Sequence, residues 1–231
     1  MIAIIRLVST LAAMGAMRDL CAAYRVRSGH RVEADFSPTV ALLERLRGGE
    51  KADVAILTAQ GIDDSIAERI MRPGSRTDVA RSFVGIAVRA GAPWPDIGTV
   101  EGLKATLLAA RSVCYSRIGA SGLYFAGLIE RLGIAEAVNA KATIASTGFT
   151  AERLVSGEAD LAVQQISELM VVPGIEVVGG LPAEVQTVAM FSAGLLTASE
   201  QPEVAAGFVR FLASKEAEPV LRRTGLEPPA G

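Results

Sequence analysis

Short apolar runs that end in small hydroxyl residues, each followed by a helical pattern, recur along the chain. The first is IAIIRLV at 2–8, rich in β-branched residues and closed by Ser9 and Thr10. Met14, Met17, Leu20, Cys21 and Tyr24 then recur at three- to four-residue spacing, which predicts a helix with one apolar face. A strand is predicted at 31–36, where Val32, Ala34 and Phe36 alternate. Ser37 is expected to cap the next helix, with Pro38 in its first turn, Val40, Leu43 and Leu46 on its apolar face, and Gly48-Gly49 as its stop. DVAIL at 53–57 reads as a buried strand ended by Gln60-Gly61, before a short helix to Ile70. FVGIAVR at 83–89 is another strand, followed by the loop GAPWPDIG and a helix capped by Thr99. The pattern continues with a strand at 112–116, a helix at 122–132 closed by Gly133, a strand at 141–146, a helix at 150–156, and strands at 160–164 and 175–178. A long extended run, VQTVAMFSAGLL, covers 185–196, and helices follow Pro202 and Ser214. Strands alternating with helices argue for an α/β fold whose mainly parallel sheet is covered on both faces.

The segments 83–89 and 185–196 are too apolar for loops, and no Gly-Ser linker accompanies them. They are predicted to carry the backbone between two lobes, one built from 1–82 with 190–231 and the other from 83–189. Two hydroxyl junctions fall in each half, so a small ligand is expected in the cleft between lobes.

Composition narrows the function. With 231 residues, 50% of them apolar and 21% charged, the chain can bury one large core or two smaller ones. A net charge of −2 gives no electrostatic footprint for nucleic acid or an anionic membrane, and no run reaches the ~18 apolar residues of a span. Cys21 and Cys114 sit in apolar segments and read as buried thiols. With a single histidine, His30, they offer no metal-ligand spacing, so neither metal nor cofactor is expected. The opening residues are apolar enough to suggest a secretory signal, yet Arg6 interrupts them and no A-x-A site follows. They are expected to be mature structure, which makes this form cytoplasmic as it stands, or periplasmic where the true start lies upstream.

The junctions carry the candidate chemistry. Ser9-Thr10, Ser37-Pro38-Thr39, Ser116 to Ser121 and Ser146-Thr147 each present hydroxyls together with the free N–H groups of a helix start, where negative charge is favoured. Taken singly, each junction reads as an ordinary N-cap worth ~1 kcal/mol to its helix, and only the set of four points to a ligand site. Gly119-Ala120-Ser121-Gly122-Leu123 does not match G-x-S-x-G, and His30 lies in a turn far from it in sequence, so a serine hydrolase is not indicated. Nucleotide-binding glycine motifs are absent.

Several segments together resemble the type II periplasmic solute-binding proteins, within them the molybdate-binding-like group: SGHRVEADFSPT, KADVAILTA, ARSFVGIAVRAGAPWPDIGTVEGLK, YSRIGASGLY, SGEADLAVQQISEL and FVRFLAS. The resemblance implies a two-lobed fold with two interlobe crossover strands, and a receptor for a small oxyanion or carboxylate. The ligand donors it implies are Ser9, Thr10, Ser37, Thr39, the segment Gly119, Ala120, Ser121 and Gly122, and Ser146 with Thr147. Gln164 or Gln165 stands where related proteins place a polar cleft residue. An exported form would have an ABC permease as partner. Some proteins resembling this family are isomerases of unsaturated polycarboxylates such as aconitate. That alternative needs a base, for which Tyr115, Tyr124, Glu168 and Cys114 are the candidates.

Overall fold

A computed structural model describes residues 2–230; Met1 and Gly231, the ends of the expected first lobe, lie outside the described residues. The elements run β1 (Ile4–Thr10), a 3-10 turn (Leu11–Ala13), α1 (Met14–Ser28), β2 (Arg31–Ser37), α2 (Thr39–Arg47), β3 (Val54–Thr58), α3 (Ala59–Ala67) and β4 (Thr77–Arg89). Next come α4 (Val100–Ala109), β5 (Val113–Ser116), α5 (Ala120–Arg131), α6 (Ala135–Asn139), β6 (Ala142–Ala145), α7 (Glu152–Ser156), β7 (Leu161–Gln165) and α8 (Ile166–Leu169). The chain ends with β8 (Ile175–Gly180), a 3-10 turn (Ala183–Val185), β9 (Val188–Leu195), α9 (Pro202–Leu212) and α10 (Glu218–Arg223). It divides into two compact units, Met1–Ser82 with Ala189–Gly231, and Phe83–Val188, and passes between them within β4 and at the start of β9.

In the first unit, β1 pairs in parallel with β2 on one side and β3 on the other, and β9 joins β3 antiparallel. Both faces are covered, which is why these strands read as continuous apolar runs. Ile5, Leu7, Val54 and Ile56 pack against Met17 and Leu20 of α1 and Phe208 of α9, while Val8, Ala55 and Leu57 face Leu42 and Leu46 of α2 and Ile62 of α3. The apolar opening is therefore an inner strand with neighbours on both sides, and it contributes to both cores.

In the second unit, β5 lies parallel between β6 and β7, and β4 pairs antiparallel with β7 and β8. Tyr115 and Val163 face Phe125 and Leu128 of α5; Cys114 and Ala162 face Leu154 of α7 and Leu169 of α8. The sheet is thus mixed, with its antiparallel pairings confined to the strands that contact β4 or β9. β9 begins at Val188 rather than 185 because the Gln186 side chain occupies the backbone of β4: Val84 N donates to its Oε1 at 3.2 Å, and its Nε2 donates to Val84 O at 2.9 Å. β4 starts earlier than its apolar core because its polar residues find partners, Asp78 accepting from Ser192 and Arg81 pairing with Glu227. The helices α6 and α8, of five and four residues, are too short to show periodicity. No helix among the described residues is long and apolar enough to cross a membrane.

Candidate functional site

The first unit brings its strand-end hydroxyls to one edge. Parallel register sets Thr10 level with Ser37, and Thr10 Oγ1 lies 3.3 Å from Thr39 Oγ1 at the start of α2. Ser9 is fully buried and donates to the carbonyl of Thr10 at 3.1 Å. Neither Thr10 nor Ser37 caps a helix. The cap of α2 is Pro38, with no side-chain hydrogen bond, so the expected Ser37 cap gives way to another arrangement. Ser37 ends β2, and its hydroxyl accepts from Arg45 Nη1 at 2.6 Å. Arg45 also pairs with Asp35 at 2.6 Å and Glu50 at 2.9 Å, which hold its guanidinium above its ordinary value. Sequence reading missed this cation; Arg45 follows Ser37 by two helical turns, which was the available signal.

In the second unit, Gly119 is the cap of α5 and offers no side chain, so the first amides of the helix, from Ala120 to Gly122, keep no partner inside it. Gly122 permits this closeness. A β-carbon there would stand 1.7 Å from Ser116 O, so only glycine lets α5 sit directly on the end of β5. Ser121, nearly fully buried, occupies the second helical position, and Ser116 Oγ accepts from Ile118 N at 3.2 Å. The positive end of a twelve-residue helix and a hydroxyl therefore share one strand end.

Ser146 and Thr147 differ from expectation. They lie exposed in a bend followed by Gly148 at φ +70°, and α7 begins only at Glu152. The loop is fixed by Thr150, a residue the sequence reading passed over: its N donates to Gln164 Oε1 at 2.8 Å and its Oγ1 to the same oxygen at 3.0 Å. Gln164 is thus engaged inside the unit. Gln165 falls on the opposite face of β7, that of Val163 and Tyr115; it is 2% exposed, and its Oε1 has no hydrogen-bond partner.

Among the candidate bases, Tyr115 is fully buried, donates to Asn139 Oδ1 at 2.5 Å and packs edge-on against Phe125. Tyr124 donates to Val185 O at 2.6 Å beneath Arg131. Burial pushes the Cys114 thiol up to about 12. Glu168 stands apart. It is 7% exposed, and burial raises its carboxyl from 4.5 to about 7, against a hydrogen bond from the Gln165 backbone. Among the described residues, no group of three or more His, Cys, Asp or Glu could hold a metal ion.

Comparison with known proteins agrees with this architecture. The periplasmic molybdate-binding protein of Azotobacter vinelandii superposes with a TM-score of 0.83 at 17% identity, covering 98% of this chain and 100% of that one. The sulfate-binding protein SubI of Mycobacterium tuberculosis gives 0.78 at 15% identity, covering 98% and 87%. In sequence, an aconitate isomerase from Pseudomonas sp is 34% identical over 221 residues, 93% of this chain and 84% of its own. The two-lobed fold of the solute-binding proteins is therefore the fold of this chain. The sequence profile of the bacterial extracellular solute-binding proteins matches residues 5–227, and the chain belongs to that family.

Proposed function

We propose that the protein is a receptor for a small, multiply charged oxyanion or carboxylate. Its donors are the hydroxyls of Thr10, Thr39 and Ser121 and the first amides of α5, with Ser9, Ser37, Ser146, Thr147 and Gln165 as neighbouring polar contacts. The observation that carries this reading is that these hydroxyls cap no helix, whereas Thr58 and Thr99 at comparable junctions do. Neutral hydroxyl and amide donors suit an ion that stays fully ionised, since charge-assisted hydrogen bonds need no proton transfer. As a receptor of an extracellular family, the protein would hand its anion to a membrane permease.

A thermal-shift screen of molybdate, sulfate, phosphate, citrate and the two aconitate isomers tests it, because ligand at ~100 Kd stabilises by ~2.7 kcal/mol. Ser121→Ala is expected to weaken binding of the responding anion by about 1.5 to 3 kcal/mol, the range for a hydrogen bond to a charged partner. No response to any of these anions would sink the reading.

The likeness to an aconitate isomerase favours a second reading, conversion of the bound carboxylate by moving a proton between carbons. That step needs a base. Among the candidates, burial raises the Glu168 carboxyl to about 7, and its carboxylate is turned inward onto Gln165 N. The inward engagement favours the receptor. Incubation with cis- and trans-aconitate in deuterated water separates the two, since deuterium uptake or interconversion establishes conversion. An enzyme of this kind would also suit the cytoplasm.

A further inference from the structure

A second concavity lies at the opposite end of β5 and β7 from Ser116 and Gln165. Arg111 precedes β5 and Leu161 opens β7, while the antiparallel pairing of β4 with β7, which reaches Ala87 and Ala162, brings Val88 and Arg89 to the same end. Here a cavity of about 650 Å³ opens within the second unit alone. Val88 and Leu161, both buried, line it together with Pro93, Pro95, Ala109 and Ala159. Apolar walls with a few polar groups, at this volume, are what sites for small organic molecules are built from.

Arg89 and Arg111 line the same cavity and differ in what balances them. Arg111 pairs with Asp160 at 2.8 Å, and Asp160 Oδ2 also accepts from Arg111 N at 2.9 Å. Arg89 has no acidic partner among the described residues. Its Nε and Nη2 donate to the carbonyls of Leu154 and Val155 at 2.9 and 3.0 Å, which holds the guanidinium against the end of α7 and leaves Nη1 without a bond to the described residues. A cation already held in place loses little freedom when a ligand arrives. We propose that this cavity is a second ligand site, for a small organic acid with an apolar body and a single carboxylate. The carboxylate meets Arg89, and the body covers Val88, Leu161 and the two prolines. A second negative charge would find only the Arg111–Asp160 pair, which is already balanced. A bare inorganic oxyanion would leave the apolar walls wet. The site therefore selects a ligand unlike the multiply charged anion read from the strand-end hydroxyls, and it stands whether or not that reading holds.

The chain's single tryptophan, Trp94, reports on this site. Its neighbours Pro93 and Pro95 line the cavity, and its indole N–H donates to Glu176 Oε2 at 2.7 Å. Titrating the intact protein with octanoate should change Trp94 fluorescence saturably. 1-Octanol, the same chain without the charge, should bind at least about tenfold more weakly, the low end for losing a hydrogen bond to a charged partner. Ala109→Phe, at an exposed position of α4, fills the cavity without altering Arg89 and should abolish the response. Arg89→Met keeps an apolar stem and should lower octanoate to the affinity of octanol. The assignment is overturned by the absence of a saturable change, by equal affinities for octanoate and octanol, or by a response that survives Ala109→Phe. A folded Arg89→Met chain that binds octanoate like the native one overturns it as well. The octanol comparison uses the native chain, so it decides the role of charge even where Arg89→Met loosens α7.

Discussion

Thr10 and Thr58 end neighbouring positions of one sheet with nearly the same backbone, φ −62° and ψ 153° against φ −60° and ψ 151°, and they do different work. Thr58 is followed at once by α3, whose third amide, Gly61 N, donates to its hydroxyl at 3.2 Å. Thr10 is followed by the 3-10 turn Leu11–Ala13, and α1 starts only at Met14, so no amide of that helix meets its hydroxyl. The second unit repeats the contrast: Thr99 accepts from Gly102 N at 3.0 Å, while α5 starts from Gly119 without any side-chain cap. A hydroxyl at a strand end is thus neither a cap nor a ligand donor by position alone. The conformation of the next three residues decides between the two.

The largest test of this contrast lies at two first-turn glycines. A β-carbon at Gly122 would collide with backbone, Ser116 O at 1.7 Å, whereas at Gly61 it would meet side chains, Thr58 Oγ1 at 3.2 Å and Leu57 Cβ at 3.3 Å. Gly122→Ala is expected to cost about 3 kcal/mol in urea unfolding and to abolish anion binding, because α5 must lift off β5. Gly61→Ala should stay within about 1 kcal/mol, since the gain in helix propensity offsets the crowding. Equal effects at the two sites would break the comparison.

The junction of β7 with α8 is a third type, in which the carboxylate of Glu168 reaches back to Gln165 N. Its carboxyl is raised in the folded state, so the folded protein holds an extra proton between about pH 4.5 and 7. Stability gained from this group is fully present below that window and is lost as pH rises through it, by roughly 3 kcal/mol at most for a shift of this size. Urea unfolding of the native chain should therefore weaken across the window. Glu168→Gln should lack that slope and be the more stable of the two above pH 7. Parallel profiles would show that Glu168 ionises freely.

Much of the fold was legible because burial on both faces of a sheet leaves continuous apolar runs, as in IAIIRLV and DVAIL, and helices of nine residues or more show their apolar faces. The site was legible only as a set of positions. Sequence shows that Ser37 precedes a proline and a helix; it does not show that Arg45, two turns into that helix, claims the hydroxyl. Nor could it distinguish Gln164 from Gln165, adjacent residues that alternation sends to opposite faces, one bound to Thr150 and the other with an unpartnered oxygen. Ser146 starts no helix because Gly148, at positive φ, turns the chain first, and no apolar periodicity marks such a bend.

The smallest effects bear most directly on the two threonines. Thr58→Ala removes a hydrogen bond to an otherwise free helix amide and should cost about 1 kcal/mol of stability, the usual loss for a cap, with anion affinity unchanged. Thr10→Val keeps the β-branched shape in a buried position and removes a hydroxyl that stabilises no helix, so its stability should stay within about 0.5 kcal/mol. Its affinity should nevertheless drop at least about tenfold if the hydroxyl donates to the anion. Each variant thus moves one observable and spares the other. If Thr10→Val lost stability like Thr58→Ala and bound as before, Thr10 would be a structural hydroxyl, its bond to Thr39 would be its whole role, and the first unit would contribute less to the ligand than the second.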